Sequence, residues 1–218
     1  VIMRYLCGVV VVFLMFLILT GCGAGNAEKM ILISSGSFWK GCDEDLEESC
    51  SREECREREM PYVQVSLPNY YIDETEVTQA AFQECVDAGA CSHHMDDGTC
   101  EFTDEYPSGT QFHGKRKPVV CVDYYQALEY CKWIGKRLPS EDEWEKAARG
   151  TDGRCFPWGN DGNVCEYTVA FGPVEWEGVS YCGPGHTMDV CSKTLGNSPY
   201  GLCDMSGNVS EWVVEGYA

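Results

Sequence analysis

The sequence predicts an α+β fold with little regular secondary structure and long disulfide-pinned loops. Three observations predict it. Strand-like patterns between Met30 and Leu67 are short and broken by glycine. Three helical patterns are equally short, each bounded by its own start and stop residues. The 218 residues include 15 cysteines, and beyond Gly150 the chain turns rich in Gly, Asn, Asp and aromatics. That composition suits ordered loops, and that cysteine load suits an oxidising compartment.

The elements follow in order. Met3 reads as the start, and Arg4 supplies a positive charge ahead of the apolar run Tyr5 to Leu19. The run is shorter than the roughly 20 apolar residues a comfortable membrane span needs. It has the length of a signal h-region. Leu19-Thr20-Gly21-Cys22 comes directly after it and resembles the bacterial lipobox, whose cysteine thiol accepts the lipid. An uncleaved anchor helix running on through Gly25 ranks second. Either reading exports the rest of the chain. The expected organisation is a signal peptide over 1–21, a tether over 22–29 and one domain over 30–218. The membrane contact is a lipid anchor at Cys22, on a periplasmic or cell-surface face.

Met30-Ile31-Leu32-Ile33 is an apolar strand-like run, followed by Gly36 and Ser37-Phe38-Trp39. Tyr62 to Leu67 alternates like a half-buried strand. Thr78 is placed to N-cap a helix with Phe82, Cys85 and Val86 on its apolar face, ending at Gly89. Asp123 with Gln126 reads as a capping box opening a second helix, with Tyr124, Ala127, Leu128, Cys131 and Ile134 on one side and Gly135 as its stop. Ser140 with Glu143 is a second box. The third helix has acids in its first turn, Lys146 and Arg149 in its last, and Gly150 beyond it.

Charge and cysteine spacing exclude some functions. The formal net charge is −19, with a pI near 4.4. Phosphates would be repelled, so no nucleic-acid partner is expected. Much of the acid lies in one block, Asp43 to Glu59, read as a solvated loop. Setting Cys7 and Cys22 aside leaves 13 cysteines, an odd number. No C-x-x-C occurs, and His93, His94, His113 and His186 are not at zinc spacing to cysteine, so a thiolate metal site is not expected. Disulfides are expected, with one thiol or an outside partner left over.

Several motifs then come in one order. They are Met30-Ile-Leu-Ile with Gly36-Ser-Phe-Trp-Lys-Gly41, Leu67 to Asp73 with Glu76-Val-Thr78, and Gly135-Lys-Arg-Leu-Pro-Ser-Glu-Asp-Glu-Trp-Glu-Lys-Ala-Ala-Arg-Gly150. Pro157-Trp-Gly-Asn160 and Ser198 to Trp212 complete the set. Together they resemble the sulfatase-modifying-factor family, the family of the formylglycine-generating enzyme, over nearly all of residues 30–218. The resemblance implies a variant of the C-type lectin fold. It implies a family activity, oxidation of a client-protein cysteine to formylglycine with oxygen and copper held by two cysteines. Those cysteines lie after the part of the domain that this chain spans. Copper is therefore expected only if that further part carries the pair, and no catalytic residue is named in this chain. The alternative is a non-catalytic, calcium-stabilised lectin-like module that binds a protein or glycan. Ser210 stands where the family often has Trp near its substrate groove, which speaks against peptide binding of the usual kind.

The segment Asp204 to Glu211 is the metal candidate. Calcium takes six to eight oxygens from carboxylates and main-chain carbonyls on a wrapped loop. Two carboxylates bracket a glycine here. The resemblance implies ligation by the side chains of Asp204 and Glu211 and by the carbonyls of Gly207 and Val209, in a structural role. A second family calcium site, after Asn160, is not carried over because Cys165 and its neighbours depart from it. Trp144, Trp158 and Trp212 are read as wedges between loops, Arg137 as a buried fork, and Asn160 and Asn208 as side chains bonding loop backbone.

Overall fold

The apolar run at Met30 becomes a strand because its pattern suits a sheet with one covered face. In the computed structural model, which describes residues 2–3, 29–42, 59–92, 112–162, 164–170, 186–214 and 216–217, β1 is Ile2–Met3 and β2 is Met30–Ile33. β3 (Gly36–Lys40), β4 (Val63–Leu67) and β5 (Tyr70–Asp73) follow. β2 pairs antiparallel with β5, matching Ile33 to Tyr70 and Ile31 to Ile72, while β3 pairs antiparallel with β4. The alternation predicted along Tyr62–Leu67 shows in β4, where Val65 and Leu67 are half-buried and their neighbours exposed. On the outer face of that ribbon Trp39 stacks on Tyr62 at 4.8 Å between centroids.

The helices start and stop at the predicted residues. α1 (Gln79–Asp87) has Thr78 as its N-cap, with Thr78 Oγ1 accepting from the Ala81 amide. α2 (Tyr124–Trp133) and α3 (Glu141–Arg149) each carry a complete capping box, Asp123 with Gln126 and Ser140 with Glu143. Gly89, Gly135 and Gly150 follow the three helices with φ of 69°, 72° and 74°, the left-handed region that glycine enters without steric cost. A short α4 (Val164–Tyr167) and a 3-10 turn at Thr194–Gly196 lie among the loops. β6 (Glu211–Val213) is flanked by β1 in parallel and by β7 (Gly216–Tyr217) in antiparallel pairing.

Two apolar clusters form the core. One joins α1 to α2 through Val77, Phe82, Cys85, Ala127, Tyr130 and Leu138. The other joins β2 and β5 to α3 through Ile33, Tyr70, Ile72, Ala147 and Ala148, and includes Leu202 and Met205 from the metal-candidate region. The buried side of α2 differs in part from the predicted face. Gln126 and Tyr130 are buried with Ala127 and Cys131, while Tyr124, Leu128 and Ile134 are only partly covered. Gln126 is drawn inward because its side chain closes the box on the Asp123 amide.

Lys146 is the unexpected core member. It is 1% exposed, and its ammonium donates to the Ser34 and Gly36 carbonyls, both at 2.8 Å. These two bonds tie α3 to the β2–β3 turn. Burial holds its pKa below the usual lysine range. Arg137 corrects an expectation. Its fork does hold a carboxylate, the buried Glu143, at 2.8 and 2.7 Å, but its own side chain is half exposed, reaching Glu143 from the solvent side.

Cys22, residues 23–28 of the tether and the acidic residues 43–58 lie outside the described residues. Among the described residues no helix is long and apolar enough to cross a membrane.

Candidate functional site

The loop from Asp204 to Glu211 is wound by three residues in the left-handed region: Asp204 (φ 52°), Gly207 (φ 88°) and Asn208 (φ 58°). Asp and Asn are the side-chain-bearing residues that best tolerate this conformation, and glycine takes it freely. Gly207 is also required for space. A Cβ there would meet Thr168 Oγ1 and lie 2.5 Å from the Val169 carbonyl oxygen.

Neighbouring segments stitch the loop from several sides. Thr168 Oγ1 donates to the Ser206 carbonyl, and the Asn208 amide donates to the Val169 carbonyl at 2.6 Å. The Cys203 amide donates to the Glu74 carbonyl at 2.9 Å. The Val209 amide donates to the Gly207 carbonyl at 2.7 Å, closing a tight turn within the loop. Met205 anchors the start of the loop in the core.

Each candidate ligand can now be placed. Asp204 is buried, and its Oδ2 accepts from the Cys191 amide at 2.7 Å. Glu211 is 1% exposed, and its Oε2 accepts from the indole N–H of Trp144 at 3.0 Å. The carbonyls of Gly207 and Val209 belong to the same turn. The metal candidate is therefore one loop whose two carboxylate ends are buried while Gly207 and Ser210 are exposed, and each carboxylate is oriented by a donor from another segment. Among the described residues, no three His, Cys, Asp or Glu side chains group as a metal cage. Any ion here relies on two carboxylates and main-chain oxygens.

The three tryptophans are wedged with their donors satisfied. Trp144 reaches Glu211, Trp158 donates to the Asp161 carbonyl, and Trp212 donates to the Val122 carbonyl. Asn160 and Asn208 bond loop backbone as expected, taking the Cys155 and Met188 amides respectively. Sequence reasoning did not anticipate that Asn208 also donates to the buried Glu76 at 3.1 Å, across 132 positions. Nor did it anticipate that buried Asp73 pairs with Lys136 at 2.6 Å. An acid within an otherwise apolar strand end was the available signal for Asp73, and the motif residue Glu76 was the signal for its pair.

The described cysteines are largely oxidised. Cys85 bridges Cys91, and Cys191 bridges Cys203. Cys42, Cys121, Cys155 and Cys165 are also in disulfides. Among the described residues Cys131 is the thiol, 1% exposed inside the first core cluster.

Comparison with known proteins agrees with this architecture. The family model of the sulfatase-modifying factor enzyme 1-like domain matches residues 21–218. The uncharacterized protein YfmG of Bacillus subtilis is 28% identical over 209 residues, covering 85% of this chain and 41% of that protein. The inactive C-alpha-formylglycine-generating enzyme 2 of Bos taurus is 38% identical over 106 residues, covering 46% of this chain and 33% of that protein. The formylglycine-generating enzyme of Thermomonospora curvata is 38% identical over 104 residues, covering 45% of this chain and 33% of that enzyme. The matches thus span well under two thirds of these relatives' lengths. PvdO from Pseudomonas aeruginosa superimposes with a TM-score of 0.64 at 24% identity, over 86% of this chain and 70% of that one. That likeness shows the fold: the expected α+β variant of the C-type lectin type, with small sheets and few helices. By its family match over residues 21–218, the chain belongs to the sulfatase-modifying-factor family, that of the formylglycine-generating enzyme.

Proposed function

We propose that the protein is an exported, lipid-anchored relative of formylglycine-generating enzymes whose described domain is a calcium-braced scaffold presenting a partner-binding face. In this reading the family reaction, oxidation of a client cysteine to formylglycine, takes its copper-holding cysteine pair from outside the described residues. The observation that carries this division of labour is the state of the cysteines. Copper held by two cysteines needs two reachable thiolates. Every described cysteine is in a disulfide except Cys131, which is 1% exposed. The described part therefore supplies a frame.

Calcium fits the Asp204–Glu211 loop by the chemistry of its donors. Asp204, Glu211 and the carbonyls of Gly207 and Val209 offer only hard oxygen. Glu76, Asp204 and Glu211 are buried carboxylates, and removing such charges from water is costly unless compensated. A bound divalent cation would supply compensating charge and no chemistry. Trp144 and the Cys191 amide would hold the two carboxylates in place for it. Attachment to the membrane rests on Leu19 to Cys22, with Cys22 as the lipid acceptor.

The oxidised cysteines and the similarity to an inactive formylglycine-generating enzyme favour a second reading, a non-catalytic module for a protein or glycan partner. One assay separates the two. Full-length protein loaded with copper is given oxygen and a cysteine-containing client peptide, and mass spectrometry follows replacement of the thiol by an aldehyde. Conversion that a copper chelator stops supports the oxidase. A fully loaded protein that leaves the peptide unchanged supports the binding module. Calcium is tested on the same protein. A ligand bound only to the folded state at about 100-fold its Kd adds roughly 2.7 kcal/mol. Chelator should lower the melting temperature, and calcium should restore it more fully than magnesium. An unchanged melt together with no ion by elemental analysis would reduce Asp204 and Glu211 to loop-bonding carboxylates.

A further inference from the structure

We propose that the Cys191–Cys203 disulfide is a redox-sensitive clasp on the calcium loop: closed, it holds Asp204 ready to ligate, and opened by a dithiol reductant, it weakens calcium binding. The inference rests on the calcium reading above.

Four observations converge on this bridge. Cys203 is the residue directly before Asp204, so the crosslink fixes the chain at the ligand's own neighbour. The amide of the other half-cystine, Cys191, donates to Asp204 Oδ2 at 2.7 Å. The bridge thus sets both the main chain and the carboxylate orientation of one ligand. Cys191 and Asp204 both hold left-handed conformations, φ 60° and 52°. Cysteine seldom adopts that region, so a released Cys191 would relax out of it and carry its amide away from the carboxylate. Finally, the two sulfurs differ in access. Cys203 is 2% exposed while Cys191 is half-buried, which makes Cys191 the sulfur a reductant reaches.

The chemical step balances simply. A thiolate of the dithiol attacks Cys191 Sγ and expels the Cys203 thiolate, forming a mixed disulfide. The reductant's second thiolate then displaces Cys191. The S–S bond has accepted two electrons, both cysteines end as protonated thiols, and the reductant ends as its own disulfide. Linkage makes the coupling reciprocal: if the closed clasp tightens calcium, then bound calcium must resist opening of the clasp by the same factor.

The test uses full-length protein and calcium itself. In calorimetric titrations, C191A/C203A should bind calcium about tenfold more weakly than wild type, the change that loss of one well-placed bond to a charged ligand produces. C85A/C91A, which removes a bridge at the end of α1 away from the loop, should bind as wild type does. The native protein provides a second readout independent of variant folding. Under a fixed concentration of dithiothreitol, alkylation of Cys191 and Cys203, followed by peptide mass spectrometry, should be slower with calcium than with chelator. Cleavage of Cys85–Cys91 should not change. Equal calcium affinity with and without the bridge, or alkylation indifferent to calcium in a protein that binds it, overturns the clasp and leaves the calcium site standing. Absence of calcium binding to wild type and to Glu211→Ala alike overturns the calcium reading, and the clasp falls with it.

Discussion

Glu143 closes the capping box of α3 and at the same time receives the Arg137 fork. Burial alone would push its carboxyl up, but the guanidinium and the Ser140 donors outweigh that and hold it below the usual glutamate range. A carboxylate depressed in the folded state adds stability that is fully present above its unfolded pKa, about 4.3, and is lost as pH falls through the folded value. Glu143→Gln should therefore cost about 1–2 kcal/mol near neutral pH, a figure kept small because Arg137 is half exposed. The gap between variant and wild type in urea melts should close as the pH drops below that window. A gap that stays constant into acid would mean the charge has no part in it. Lys146 makes the contrasting case. Its ammonium is buried and donates to two carbonyls of the exposed β2–β3 turn, so Lys146→Met should lose both bonds and cost about 1–3 kcal/mol, read as a lower urea midpoint. The helix ends were legible at this scale because caps and boxes are local. The inward path of Lys146 was not, since its acceptors lie more than a hundred positions away in the β2–β3 turn.

At the scale of elements, α1, α2 and α3 are short enough that their ends matter as much as their middles. Isolated helices of about ten residues are marginal in water, so caps and packing decide whether they persist. Ser140→Ala removes the acceptor for the Glu143 amide and should cost about 1 kcal/mol. Amide exchange should rise first in the opening turn of α3, and a uniform rise across the domain would argue instead for a general packing defect. The Asp204–Glu211 loop is the opposite kind of element. It has no internal ladder and takes its shape from Thr168, Val169, Met188 and Cys191. Its left-handed positions could be anticipated from Asp, Gly and Asn in the sequence, but not the residues that hold it.

Across the whole molecule, crosslinks stand in for the ladders that a loop-rich domain lacks. Each native bridge in such a domain contributes about 2–5 kcal/mol. Alkylation of denatured, unreduced protein should label Cys131 and spare Cys42, Cys85, Cys91, Cys121, Cys155, Cys165, Cys191 and Cys203. Labelling of several of these would mean that the frame is reduced in solution. The same oxidised character accords with export, and Cys22→Ser tests the anchor. The variant should leave the membrane fraction, and the wild-type mature N-terminus should carry an acyl group on Cys22. A variant that stays membrane-bound and uncleaved would favour the anchor helix.

The sequence by itself determined the strands between Met30 and Leu67, the bounds of α1, α2 and α3, the oxidised character of the described cysteines and, through ordered motifs, the family. These depend on neighbours within a few positions or on composition, and local chemistry writes them plainly. Tertiary structure alone decided which cysteines pair and that Lys146 and Glu76 go inside. It alone decided that Trp144 and the Cys191 amide reach the two carboxylates of one loop. Those outcomes depend on segments brought together across long separations. In a domain of loops no repeating pattern records such meetings, so only the folded chain shows them.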